Sequence, residues 1–169
     1  MDDPIHVLHV DDDSAFRDLA AELLERADDS ITVHSESDPT AVPAYIENEP
    51  IDCVVSDFDM PECDGLELCR QIRREYPEFP FVLFTNRTGE EIVDQAMSAD
   101  ATDYIKKETG THHYKLLANR ITLAVTRHRA LRRLGEVDGL PGDPAPSESP
   151  LDGDDVSLAN AEAGGDRDD

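Results

Sequence analysis

The sequence predicts an α/β fold: a doubly wound, five-stranded parallel sheet with helices on both faces. Two observations carry this. Five short apolar runs are each followed by a segment whose apolar residues recur at spacings of three and four, the pattern of a strand and then an amphipathic helix. Turn and capping residues separate the runs where parallel strands need a helical crossover. Such a sheet is covered on both faces, so its strands read as continuous apolar runs rather than alternating ones.

Ile5–Val10 is the first strand. Phe16, Leu19, Ala20, Leu23, Leu24 and Ala27 then mark a helix that Asp13 or Ser14 can cap. Ile31–Ser35 is a weaker second strand. Asp38-Pro39 opens the next helix with proline at its first position, and Val42, Tyr45 and Ile46 line one side. Ile51–Ser56 is the third strand. Asp64 and Glu67 have capping-box spacing ahead of a helix carrying Leu66, Cys69, Ile72 and Tyr76. Pro80–Thr85 is the fourth strand. Thr88 and Glu91 repeat the capping box before an apolar face of Ile92, Val93, Ala96 and Met97. Asp103–Lys107 is a short fifth strand, and a long helix runs from about Thr111 to Leu134. One domain is therefore expected over residues 1–135.

The formal net charge is −24 over 169 residues. Nucleic acids and anionic membranes both want a basic face, so neither DNA binding nor membrane association is expected. Arginine outnumbers lysine and aspartate outnumbers glutamate. High salt screens such self-repulsion, with a Debye length of about 3 Å at 1 M. A salt-adapted, haloarchaeal host is the expectation. Cys53, Cys63 and Cys69 are odd in number and form no C-x-x-C, which points to reduced thiols. Met1-Asp2-Asp3 is acidic where a secretory leader is basic, so a cytoplasmic location is expected. Residues 136–169 hold eleven acids, one base (Arg167), four prolines and no aromatic residue. A segment so poor in apolar surface cannot offset its ordering entropy and is expected to be a disordered acidic tail.

Four positions fall at strand ends: Asp11/Asp12, Asp57, Thr85 and Lys107. In a doubly wound sheet these ends converge on one crevice, where ligands of this architecture bind. Carboxylates gathered there repel one another unless a hard divalent cation such as Mg²⁺ or an ammonium joins them. A carboxylate can also act as a nucleophile toward phosphorus. The phosphoryl oxygens then need a metal, a hydroxyl or amide donor, and a cation. Thr85 and Lys107 supply the last two.

Val10-Asp11-Asp12, Asp57-x-x-Met60-Pro61-x-x-Asp64-Gly65, Thr85 and the Tyr104-Ile105-Lys106-Lys107 strand resemble the receiver domain of two-component response regulators, over roughly residues 4 to 127. The resemblance implies a flavodoxin-like sheet of order 2-1-3-4-5 and phosphotransfer from a sensor histidine kinase. It makes Asp57 the phosphoacceptor. Asp11 and Asp12 would hold Mg²⁺ together with Asp57 and the Asp59 backbone carbonyl. Thr85 would be the switch hydroxyl, Lys107 the phosphate-binding ammonium and Tyr104 the switch aromatic. Asp59 and Arg87 occupy the family's rate-tuning positions. Their opposite charges, on loops expected to face each other, predict a pair across the site mouth that restricts water. Glu108 stands where the family usually has proline, which predicts a less rigid Lys107. Asn86 replaces a smaller residue.

No effector domain is recognisable, so signalling through an unknown downstream protein is expected, without enzymatic turnover beyond self-phosphorylation and slow self-dephosphorylation. A haloacid-dehalogenase-like phosphohydrolase also uses D-x-D, Thr/Ser, Lys and Mg²⁺, but with the D-x-D after the first strand. A degenerate receiver acting only as an interaction module is the third reading, and the intact acids and Lys107 speak against it. Tyr114, Leu117, Ile121, Ala124, His128 and Leu131 form a heptad-like seam on the last helix. It either packs on the sheet or serves a homodimer or docking partner. Arg127, Arg129, Arg132 and Arg133 at its end complement the helix dipole or hold the acidic tail. His112-His113 reads as a solvated pair. His6 and His9, at odd spacing, face opposite sides of the first strand.

Overall fold

The computed structural model describes residues 3–108 and 110–135. The expected acidic tail, 136–169, lies outside them. Five strands, β1 (Ile5–Val10), β2 (Ile31–Glu36), β3 (Cys53–Ser56), β4 (Phe81–Thr85) and β5 (Asp103–Lys106), form one sheet of order β2-β1-β3-β4-β5. Every pairing is parallel. The helices are α1 (Ser14–Ala27), α2 (Val42–Asn48), α3 (Gly65–Glu75), α4 (Glu90–Ser98) and α5 (Thr111–Arg133). The fold class and the strand order are those expected.

Alternation along the strands divides the core in two. Leu8, Val10, Val54, Phe81 and Leu83 face α2, α3 and α4. Val7, Cys53, Val55, Val82 and Phe84 face α1 and α5. His6 follows the first set, with its Nδ1 3.1 Å from His34 Nε2. His9 follows the second, beside Phe16 and Phe84.

Helix starts explain themselves locally. Asp13 accepts from the Phe16 N–H at 3.1 Å and Asp64 from the Glu67 N–H at 2.8 Å, which satisfies otherwise orphaned amides. Two starts differ from expectation. Asp38 and Pro39 open a single 3₁₀ turn, Pro39–Ala41, rather than α2 itself. Pro43 has no N–H to return to the Pro39 carbonyl, so the Val42 N–H takes it instead and the helix begins one turn late. At α4, Gly89 with φ +110° is the N-cap and no side chain caps the helix, so the Thr88/Glu91 box is not formed. Glu90 and Glu91 still place charge at the positive end of the helix.

The apolar faces are narrower than their periodicity suggested. Ala20 and Leu24 are buried but Leu19 is 49% exposed. Ile92 and Ala96 are buried while Val93 and Met97 face outward. Of the seam on α5, Tyr114, Leu117, Ile121 and His128 are buried and Ala124 and Leu131 half-buried, and Val125, outside the expected seam, is buried beside them. His113 is not solvated like His112. It is half-buried and stacks on Phe84, with centroids 6.1 Å apart. Among the described residues, no helix is long and apolar enough to cross a membrane.

Candidate phosphoacceptor site

Sheet pairing runs one residue past three strands and carries the chemistry-bearing residues with it. The Asp11 N–H donates to the Glu36 carbonyl at 3.1 Å, the Asp57 N–H to Val10 at 2.9 Å and the Lys107 N–H to Thr85 at 2.8 Å. Backbone pairing therefore fixes Asp11 beside Asp57 and Lys107 beside Thr85 at the carboxyl edge, and the Lys107 side chain reaches across to the acids. Gly65, the first residue of α3, closes the site from below. A Cβ there would stand 2.3 Å from the Asp57 carbonyl oxygen and 2.9 Å from Leu83 Cδ1. Only glycine allows α3 to start so close to β3.

Lys107 Nζ lies 2.8 Å from Asp11 Oδ2 and 3.3 Å from Asp57 Oδ1. Its ammonium also sits 4.2 Å from the centroid of Phe16, so the aromatic face steadies the cation. Glu108 is exposed, and with it in place of proline Lys107 still pairs with Asp11 and Asp57. Asp11 Oδ1 accepts from the Asp13 N–H at 2.9 Å, and Arg17 Nη1 donates to the Asp11 carbonyl at 2.6 Å. Asp57 Oδ1 accepts from the Phe58 N–H at 2.8 Å. Asp11 and Asp57 are buried, whereas Asp12 is exposed.

Carboxylate oxygens of Asp11, Asp12 and Asp57 lie within 4.8 Å of one another. One ammonium faces three acids, and the donors are all hard oxygens, a set that fits a small divalent cation. Burial lifts the Asp57 carboxyl above its usual range; Lys107 opposes the shift and the Asp11 charge adds to it. A divalent cation held by these oxygens would oppose both raising causes by favouring the ionised form. The Thr85 side chain is buried at the neighbouring strand end, and its Oγ1 accepts from the Arg87 N–H at 3.2 Å.

At the mouth, Arg87 Nη2 donates to Asp59 Oδ1 at 2.8 Å, and Arg87 Nε lies 3.2 Å from both Asp59 oxygens. The guanidinium carbon is 4.5 Å from the centroid of Phe58. The Tyr104 hydroxyl donates to the Arg87 carbonyl. Arg87 thus touches Thr85, Asp59 and Tyr104 through its N–H, side chain and C=O in turn.

Sequence reasoning named the acids, Thr85, Tyr104, Arg87 and Lys107, and the structure brings all of them to one edge. It missed Phe16, Arg17 and Phe58, whose contacts follow from a helix and a loop folding back over strand ends. It also gave no role to His9, which lies fully buried beneath the site. Burial lowers its pKa to about 4, and neither ring nitrogen has a hydrogen-bond partner among the described residues.

Comparison with known proteins agrees with this geometry. The model of the response regulator receiver domain matches residues 7–118. A chemotaxis protein CheY homolog of Campylobacter jejuni is 31% identical over 103 residues, covering 60% of this chain and 79% of the relative. A protein-glutamate methylesterase/protein-glutamine glutaminase of Methylobacillus flagellatus is 29% identical over 95% of this chain, which spans 48% of that protein. The match likewise covers 49% of the Bradyrhizobium diazoefficiens transcriptional regulatory protein FixJ, so the chain spans only about half of each of these two relatives. Among solved structures, a receiver domain protein from Clostridium thermocellum superposes with a TM-score of 0.65 at 26% identity, covering 75% of this chain and 98% of that one. The chain belongs to the response regulator receiver domain family.

Proposed function

We propose that the chain accepts a phosphoryl group on Asp57 from the phosphohistidine of a sensor histidine kinase and signals through a protein partner. The observation that carries this is the placement of Lys107 Nζ between Asp11 and Asp57 at the carboxyl edge of the sheet, where the Lys107 N–H donates to the carbonyl of Thr85. An Asp57 carboxylate oxygen attacks phosphorus, the P–N bond breaks, and the leaving imidazole nitrogen takes up a proton. Lys107 receives a phosphoryl oxygen and keeps Asp57 ionised, since its charge favours the carboxylate.

Asp11, Asp12, Asp57 and the Asp59 carbonyl would hold Mg²⁺. That ion supplies charge neutralisation for the transferring oxygens. Thr85 then turns its hydroxyl to the phosphoryl group and gives up the Arg87 N–H. The loop at Arg87 responds, and with it the hydroxyl contact of Tyr104. The Asp59–Arg87 pair lies over the mouth, where it slows attack of water on the acyl phosphate. Incubation with a labelled, phosphorylated histidine kinase tests the reading. Transfer of label to this chain, dependent on Mg²⁺, is expected; no transfer from a kinase or from acetyl phosphate overturns it.

A further inference from the structure

The outward face of α5 is a separate concentration of charge. Its 23 residues include six bases and no carboxylate, in a chain of net charge −24. Opposite the buried side, Leu116, Leu123 and Leu134 are 42%, 59% and 70% exposed. Lys115, Arg127 and Arg133 are exposed on the same stripe. None of these three has a carboxylate partner among the described residues. Their neighbours are already engaged: Arg120 pairs with Asp103 at 2.6 Å and Arg129 with Asp52 at 3.4 Å. Leucines alternating with uncompensated cations fit a segment that carries both apolar side chains and acids.

We propose that residues 148–158 of this same chain dock on that stripe. Leu151, Val156 and Leu158 would cover the leucines while Asp152, Asp154 and Asp155 meet the cations. The connecting residues 135–147 extend to at most roughly 45 Å. The stripe from Leu134 back to Leu116 is about 27 Å long, so the segment reaches all of it. Tethering also sets a millimolar-scale effective concentration, about what a short flexible linker provides. A second copy is the poorer occupant. Two chains of charge −24 repel, and a two-fold contact through α5 would set its cations against each other. The docked segment covers the outer face of α5, so a protein that reads this face competes with it.

Photo-cross-linking of the purified full chain tests the contact, with p-benzoylphenylalanine in place of the exposed Leu123. The expected product is a monomer-mass adduct whose cross-linked peptide lies within residues 148–158. The triple variant Asp152→Asn, Asp154→Asn, Asp155→Asn should lower its yield several-fold, and added salt should lower it too. Hydrogen exchange of α5 in the full chain gives a second readout, faster in the triple variant. Cross-links to a second copy, cross-links elsewhere in the chain, or a yield and exchange unmoved by the triple variant would each overturn the proposal.

Discussion

Arg87 and Asp59 meet across the mouth of the site, with Nη2 donating to Oδ1 at 2.8 Å and Phe58 lying against the guanidinium. Both side chains are more than half exposed, so the pair adds little to stability. Its consequence is positional: it lies over the site holding Asp57.

Arg87→Ala should therefore speed loss of the phosphoryl group several-fold while leaving the thermal midpoint nearly unchanged. Decay of the acyl phosphate, followed by intact mass, reads the rate. An unchanged half-life would sink the gate. The effect should shrink at high salt, because screening already loosens the exposed pair.

Asp57→Asn should raise the thermal midpoint at pH 7 by a few degrees in the absence of divalent cations. Burial and then the Asp11 charge lift the folded-state carboxyl above its ordinary value of 3.8, against the pull of Lys107. A group raised on folding contributes stability that is present below the unfolded value and lost as pH rises through the folded one. The variant's advantage should accordingly fade as pH is lowered toward 3.8. Melts across that range check it; an advantage that grows in acid has the wrong sign.

His128 is buried against Phe79, and burial together with Arg132 lowers its pKa from 6.5 to about 4 despite Asp52. Its contribution is present above 6.5 and is lost as pH falls toward about 4, where the folded ring must charge. His128→Leu should remove about 3 kcal/mol of that acid loss, at roughly 1.4 kcal/mol per pKa unit. Urea midpoints at pH 7 and pH 4 measure it. Equal acid sensitivity in the two proteins would contradict the assignment.

Gly65→Ala should destabilise the domain by about 1–3 kcal/mol, the usual cost of forcing a methyl into packed surroundings. The added carbon meets backbone, the Asp57 carbonyl at 2.3 Å, which cannot swing aside like a flexible side chain. Slower phosphorylation should accompany the loss, because the displaced backbone carries Asp57. A variant as stable and as reactive as the parent would show that β3 and α3 have more room than the geometry gives them.

The five strand-and-helix units and the site edge were legible because both depend on patterns local in sequence, whereas the strand order came only from the family resemblance. Val7, Val55 and Phe84 lie in short runs bounded by turns, and Asp11, Asp57 and Lys107 end such runs. The cap at Asp64 was legible for the same reason. The cap at Thr88 was not, because Gly89 could take the left-handed conformation and start the helix itself. Nor could periodicity tell Ile92 from Met97: both lie on an apolar stripe, but only Ile92 reaches the core. The contact between Lys107 and Phe16 joins residues far apart in sequence and has no local signature. His9 read as featureless until its ring proved to lie among Phe16 and Phe84 beneath the site.

The most direct test of the central claim is the intact mass of the chain after incubation with acetyl phosphate, with and without Mg²⁺, beside Asp57→Asn. The account predicts one phosphoryl adduct on the parent chain with Mg²⁺, hydroxylamine-labile, and none on the variant. An unmodified parent chain, or an adduct that persists in Asp57→Asn, would contradict it.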